Sequence, residues 1–206
     1  LNGNDLTLGS SASNNGILSY TAGNVYGAGS FTRWFNTTAI PDGSEAGLFP
    51  MGTVTDQRAF SVSDPSAGPT AGGTISIAYA DAATNTATTY ADGSSTITVR
   101  DDLDWTVTTG NGLSGGNYDL DVSGAGIGDI GSSLSDLRLT LANSVVGSPG
   151  ANAGTLSDPQ ISRTGLALTD LGNSFYVAAA NPINGLLPLT FVSFTAVVSD
   201  TRVVMN

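Results

Sequence analysis

Apolar and polar residues alternate along most of the chain with a period of two. The alternation is regular at 74–79 (TISIAY), 96–99 (TITV), 103–108 (LDWTVT), 118–122 (YDLDV) and 137–141 (LRLTL). Because successive side chains of a β-strand point to opposite faces of the sheet, these segments predict strands with one buried face. Weaker runs predict further strands at 17–21, 30–35, 59–62, 175–178, 189–198 and 202–205.

The spacing of these strands predicts an all-β fold. Turn-forming dipeptides such as Asp92-Gly93 and Asn111-Gly112 separate the runs, and no segment has sustained helical periodicity. At most one helical turn is expected, near 132–137 or 168–171. Short strands without helices are typical of a β-sandwich, a jelly-roll or an immunoglobulin-like sandwich. The chain is long enough for one large sandwich or two tandem sandwiches, with a C-terminal strand pair in addition.

Three regions are predicted along the chain. Residues 1–91 and 92–184 are each long enough for a sandwich module, and the alternative that they form one unit stays open. Residues 185–206 follow a cluster of Pro and Gly, and we interpret them as the start of a fibronectin-like module or as a donated strand pair. The chain begins at Leu1 inside an apparent strand, so we expect it to be a processed or excised part of a longer protein.

Composition and charge exclude several classes of function. The chain has no His, Cys or Lys, so a Ser-His-Asp triad, a Cys-His pair, the usual zinc sites and a Walker A motif cannot form. A glycosidase needs only two carboxylates, but no pair of aspartates stands out. The chain is therefore predicted not to be an enzyme. A formal net charge of -11 disfavours nucleic acid and anionic membranes as partners, and no apolar run is long enough to span a bilayer.

Four aspartates form a candidate calcium site. Asp102 and Asp104 alternate with inward-facing residues of one predicted strand, and Asp119 and Asp121 do so in the next. If the two strands form a hairpin, the carboxylates share one exposed face, where Ca²⁺ would relieve their repulsion. The alternative is a solvated acidic face without metal, and no other cofactor is expected.

The segment 31–35 (FTRWF) is the densest aromatic stretch and a candidate ligand-binding site. In a strand, Arg33 and Trp34 point to opposite faces, so one face belongs to the core and the other is available to a partner. Trp34 and Arg33 are the candidate ligand-binding residues, and Trp105 is a second candidate platform. Core packing is the competing interpretation for these aromatic side chains.

Several segments resemble large Bacteroidota cell-surface and adhesin-type proteins. Residues 6–9 (LTLG) and 47–53 (GLFPMGT) are similar to stretches of such proteins, as are 104–116 (DWTVTTGNGLSGG) and 137–143 (LRLTLAN). Residues 187–196 (LPLTFVSFTA) resemble the opening of the fibronectin-like module that precedes the sorting domain of proteins secreted by the type IX route. The resemblance implies secretion, a location outside the cell or on its surface, and β-sandwich arrays in adhesins and filaments. It implies no catalytic residues.

These observations predict a non-catalytic structural or adhesive module of a secreted bacterial surface protein. A sharper hypothesis is a filament subunit assembled by strand exchange, because an unpaired strand edge recruits another chain. The expected partners are further copies or neighbouring modules of the same protein, and surface glycans. The alternative is a carbohydrate-binding or spacer module of a secreted enzyme. The residues expected to mediate assembly are Leu189, Phe191, Phe194 and Val197.

Overall fold

A computed structural model describes residues 1–82 and 84–181, together with the backbone of 196–199 and 202–205. These residues are almost entirely β-structure, so the predicted fold class is confirmed. The strands in chain order are β1 (Leu6–Leu8), β2 (Phe31–Phe35), β3 (Leu48–Phe49), β4 (Ala59–Ser63), β5 (Gly73–Ala80), β6 (Asn85–Asp92), β7 (Ser95–Gly110), β8 (Asn117–Ser123), β9 (Leu137–Thr140), β10 (Ser148–Pro149), β11 (Ala153–Thr155), β12 (Asp158–Ala167), β13 (Ser174–Ala179), β14 (Ala196–Ser199) and β15 (Arg202–Met205). A 3₁₀ turn at Leu134–Asp136 and one α-helical turn, α1 (Leu168–Leu171), lie between them.

Two open sheets form the body of the protein. The first has seven strands in the order β1-β2-β5-β7-β13-β9, with β6 also paired to β7. The second has six strands in the order β10-β12-β8-β4-β3, with β11 also paired to β12. Strand pairs are antiparallel except β1–β2, which is parallel. The arrangement is that of a β-sandwich.

The core lies between the two sheets, where the inward-facing side chains of both are buried. Phe60 of β4 packs against Trp105 of β7 and Phe175 of β13, with ring centroids 6.3 and 6.1 Å apart. Each contact joins a residue of the second sheet to one of the first. The alternating residues predicted to face inward on β7 and β8 are all buried, and they are Leu103, Trp105, Val107, Tyr118, Leu120 and Val122.

Strands from both sides of the boundary predicted at residues 91/92 belong to the same two sheets. In the first sheet β5 pairs with β7, and in the second β4 pairs with β8. The boundary itself falls beside the turn of the β6–β7 hairpin, where Gly93 has φ +60° and Asp92 pairs with Ser95. Residues 1–181 therefore share one hydrophobic core.

The C-terminal strands β14 and β15 pair with each other in antiparallel register, from Ala196 opposite Met205 to Ser199 opposite Arg202. Among the strands that the structure describes, neither is hydrogen-bonded into the two large sheets. Leu189, Phe191 and Phe194 lie outside the described residues, and only the backbone of Val197 is described. No helix within the described ranges has the length and apolar character needed to cross a bilayer.

Candidate functional site

Trp34 and Arg33 lie side by side on β2 and point to opposite faces of the first sheet. Arg33 points inward and is 4% exposed, whereas Trp34 is on the outer face and is partly exposed. β1 pairs only with Phe31–Arg33 and ends before Trp34. The edge of β2 is therefore free of β1 from Trp34 onward.

A groove of about 380 Å³ lies at this edge of β2, and both Arg33 and Trp34 line it. We call it the β2-edge groove. On one side runs the segment 15–18, where Ile17 is 91% exposed. Its other walls combine polar and apolar residues. They are formed by Phe35, Asn36, Thr38, Ala39, Ile40, Glu45 and Ala46.

The Arg33 guanidinium is held by backbone carbonyls instead of a carboxylate. Its Nη1 donates to the carbonyl oxygens of Glu45 at 2.8 Å and Leu48 at 2.5 Å. Its Nε is buried and has no hydrogen-bond partner among the described residues. The guanidinium also lies 5.6 Å from the ring centroid of Phe49, a distance at which a cation is attracted to the ring. Burial lowers the pKa of Arg33 to about 10, and the nearby charge of Glu45 opposes this shift.

Trp105 is not available as a binding platform. Its side chain is fully buried, with the indole Nε1 donating to the carbonyl oxygen of Arg58 at 2.9 Å. Its ring packs against Tyr79 with centroids 5.5 Å apart. For this residue the core interpretation is correct, and Trp34 remains the single tryptophan that a ligand can reach.

The four candidate calcium ligands are not brought together, because the hairpin that would unite them does not form. Asp102 and Asp104 lie on β7 in the first sheet, and Asp119 and Asp121 lie on β8 in the second. Chain neighbours in a sandwich often belong to different sheets, and the segment after β7 crosses from one to the other. Within residues 1–82 and 84–181, no group of three or more acidic side chains is close enough to hold a metal ion.

These aspartates instead accept hydrogen bonds from neighbouring groups. Asp102 accepts from the hydroxyls of Thr84 and Thr86, each at 2.7 Å, and pairs with Arg100 at 3.1 Å. Burial is the largest single influence on the pKa of Asp102, and it raises this pKa. The two hydrogen bonds and the charge of Arg100 together outweigh burial, so the pKa of Asp102 is lowered. Asp104 accepts from Thr106, and Asp119 accepts from a backbone N–H. Asp121 accepts from the hydroxyl of Ser162.

Asp101 was not singled out in the sequence, yet its environment strongly perturbs its carboxyl group. Burial raises its pKa to about 6, and the nearby carboxylates of Asp102 and Asp81 add to this shift. Its Oδ1 accepts from the backbone N–H of Leu103 at 3.2 Å, which opposes the shift. Asp101 lies where the β7–β13 register is interrupted, between the pairs Tyr176–Asp104 and Ala178–Arg100.

Asp101→Asn is expected to stabilise the protein at pH 7.5 relative to the wild type, and to have little effect at pH 4. The folded-state pKa of about 6 lies above the ordinary value of 3.8, so Asp101 favours folding below pH 4 and this contribution is lost as pH rises through 6. Urea unfolding midpoints at the two pH values measure the difference. Asp56→Asn is the control, because hydrogen bonds lower the pKa of exposed Asp56 and its effect should have the opposite sign. If the difference in urea midpoint between Asp101→Asn and the wild type is the same at both pH values, the raised pKa of Asp101 is contradicted.

No family model matches the sequence, and no curated protein or solved structure matches it. The chemistry of the β2-edge groove is therefore the basis for a proposal about function.

Proposed function

We propose that the chain is a non-catalytic structural and adhesive module of a secreted bacterial surface protein. The observation that carries this proposal is the β2-edge groove, where a sandwich body presents Trp34 beside amide and hydroxyl groups. An aromatic ring flanked by a few polar groups suits recognition of a ligand. The chain has no His, Cys or Lys to supply a general base, nucleophile or thiolate, which favours binding over catalysis.

Most sheet edges of the body do not favour pairing with another chain. The strands at the ends of the two sheets are short, with β1 three residues long, β3 and β10 two each, and β9 four, whereas β6 is eight residues long and pairs only with β7 among the described strands. Short edge strands discourage pairing with another chain. We propose that strand exchange between copies uses the C-terminal strands, which pair only with each other among the described strands. An isolated two-stranded pair is marginally stable in water, and a further strand from a neighbouring copy would stabilise it.

Deletion of residues 187–206 is expected to abolish assembly and to leave the body folded. The body keeps its shared core, so its melting temperature should change little, whereas fibres seen by electron microscopy of the full chain should be lost. Phe191→Asp combined with Phe194→Asp should have the same effect, and Thr195→Ser should not. Fibres that persist after the deletion, or a full chain that is monodisperse at all concentrations, would rule out strand exchange.

A carbohydrate-binding or spacer module of a secreted enzyme is the second candidate. The exposure of Trp34 at the groove favours it, because a sugar ring stacks on an accessible indole. A glycan array separates the two candidates when it is read together with electron microscopy. Glycan binding by monodisperse protein supports the second candidate, and fibres support the first.

A further inference from the structure

Arg33 is a buried cation whose hydrogen bonding is incomplete. Two neutral carbonyl groups accept from its Nη1, and its Nε has no partner among the described residues. No carboxylate forms an ion pair with it in the part of the chain that the structure describes, although three of the other arginines are so paired. A buried charge and a buried donor without partners are each unfavourable. Because Nε itself is buried, a group entering from outside can add hydrogen bonds only at the remaining N–H groups of the guanidinium.

The groove beside Arg33 has the dimensions and the chemistry of a site for one sugar ring. Its volume of about 380 Å³ is within the range of small-ligand pockets, and residues 15–18 and β2 both line it. Trp34 offers an aromatic surface, and the side chains of Asn15, Asn36 and Thr38 offer donors and acceptors for ring hydroxyls. These features alone would accept neutral and acidic sugars equally, and the position of Arg33 distinguishes between them.

We propose that the β2-edge groove binds a single sugar residue that carries a carboxylate, as in a terminal uronic acid. The carboxylate accepts charge-assisted hydrogen bonds from Arg33, and the sugar ring contacts Trp34. The guanidinium is planar and remains charged at neutral pH, so it suits a carboxylate better than a neutral hydroxyl. This inference rests on the adhesive function proposed above and names the ligand of that site.

The charge of the protein limits the ligand to one acidic residue. With a net charge of -11, the chain repels a long polyanion, and the exposed carboxylate of Glu45 lies on the wall of the groove itself. The Oε1 atom of Glu45 accepts from the backbone N–H of Tyr20 at 3.1 Å, which holds the carboxylate in place. A single carboxylate close to Arg33 meets the repulsion of Glu45 but little of that from distant acidic groups, which salt screens beyond about 8 Å, whereas a long polyanion would meet both.

Tryptophan fluorescence of the full chain gives a direct measurement of binding. Of the two tryptophans, Trp105 is fully buried, so a ligand in the groove changes the signal of Trp34. Glucuronic acid is the probe, and its methyl ester has the same ring without the charge. We expect glucuronic acid to bind at least tenfold more tightly than the ester or glucose, because the ester loses the charge-assisted hydrogen bonds. Acetate tests the carboxylate without a ring, and an oligogalacturonate tests the polymer.

Three variants test the assignment of residues. Arg33→Met should weaken glucuronic acid binding about tenfold or more, and Trp34→Ala should weaken it about fivefold. Because Arg33→Met removes contacts to two carbonyls and could disturb the fold, Glu45→Gln supplies an independent test on an exposed residue. It keeps an acceptor for the Tyr20 N–H and removes a negative charge from the groove. Glucuronic acid should then bind about two- to fivefold more tightly, with glucose unchanged.

The outcomes separate this inference from the proposed function. Equal binding of glucuronic acid and its ester, acetate binding as tight as glucuronic acid, tighter binding of the oligogalacturonate, or no effect of Glu45→Gln would each overturn the acidic-sugar site. If the protein forms fibres, binds neutral glycans and loses that binding with Trp34→Ala, the adhesive function stands while the acidic specificity fails. If no sugar binds and the protein does not assemble, both fail.

Discussion

Asp92→Ala is expected to lower the free energy of unfolding by about 3–5 kcal/mol, because it leaves a buried arginine without its counter-charge. Arg163 is 1% exposed, and its Nη1 and Nη2 donate to the two oxygens of Asp92 at 2.7 and 3.0 Å. Arg138 adds a longer contact to the same carboxylate, at 3.5 Å. Asp92 ends β6 in the first sheet and Arg163 lies on β12 in the second, so the pair joins the two sheets.

Urea unfolding followed by circular dichroism measures the loss. The matched control replaces both partners, with Asp92→Leu and Arg163→Met together. This double variant should recover most of the stability, because burying two apolar side chains of similar size avoids the cost of taking charges out of water. A single variant within 1 kcal/mol of the wild type would show that the pair contributes little.

The strands that could be predicted are those with one face in the core. In β5 and β8 the apolar residues occupy alternate positions, and the structure buries those positions. In β7 two predicted runs, 96–99 and 103–108, join into one strand of 16 residues. The residues between them, Arg100 to Asp102, are polar, so the hydrophobic pattern is interrupted. The ladder continues because Arg100 and Asp101 pair with Thr86 and Asn85 of β6.

Two long strands were missed because their side chains do not follow the hydrophobic rule. Most residues of β6 (NTATTYAD) are exposed or half-buried, so there is no apolar face to detect. In β12 the inward positions include Arg163, a charge where the pattern calls for an apolar residue. Gly165, with φ +71°, lies where the register with β8 shifts, between Arg163 and Leu166. After this shift the inward-facing positions of the strand change from odd-numbered to even-numbered residues.

The segment 17–21 was predicted as a strand and is not one. Its apolar residues favour an extended chain, but a strand also needs a partner, and residues 17–21 join no ladder. Ile17 is consequently exposed on the wall of the β2-edge groove. Local propensity carries no information about which neighbour is available, so this error arises from tertiary structure.

The candidate site could be predicted only in part. Alternation on β2 correctly separates buried Arg33 from partly exposed Trp34. From the sequence alone, two residues on opposite faces are expected to have unrelated roles. That both residues line one groove depends on β1 ending early and on the distant segment 38–46 closing the other wall. The four candidate aspartates were expected to share one face, but the structure separates them. β7 and β8 are consecutive and similar in pattern but belong to different sheets. Which sheet a strand joins is decided by long-range pairing.

Trp105→Ala is expected to destabilise the protein by about 3–5 kcal/mol, the range for removing a large buried aromatic side chain. The indole is fully buried, packs between Phe60 and Tyr79, and donates a hydrogen bond to the Arg58 carbonyl. The truncation leaves a cavity between the sheets and an acceptor without its donor, and a densely packed interior closes such a cavity only in part.

Trp34→Ala is the matched control, since it removes the same side chain from the outer face of the same sheet. Its cost should be well below that of Trp105→Ala, because Trp34 lies on the outer face and is partly exposed. Thermal and urea unfolding of the two variants therefore compare the cost of the same truncation at a buried and at a partly exposed position. Equal losses would mean that Trp34 is a core residue, and the β2-edge groove would then have no accessible aromatic surface with which to bind a sugar.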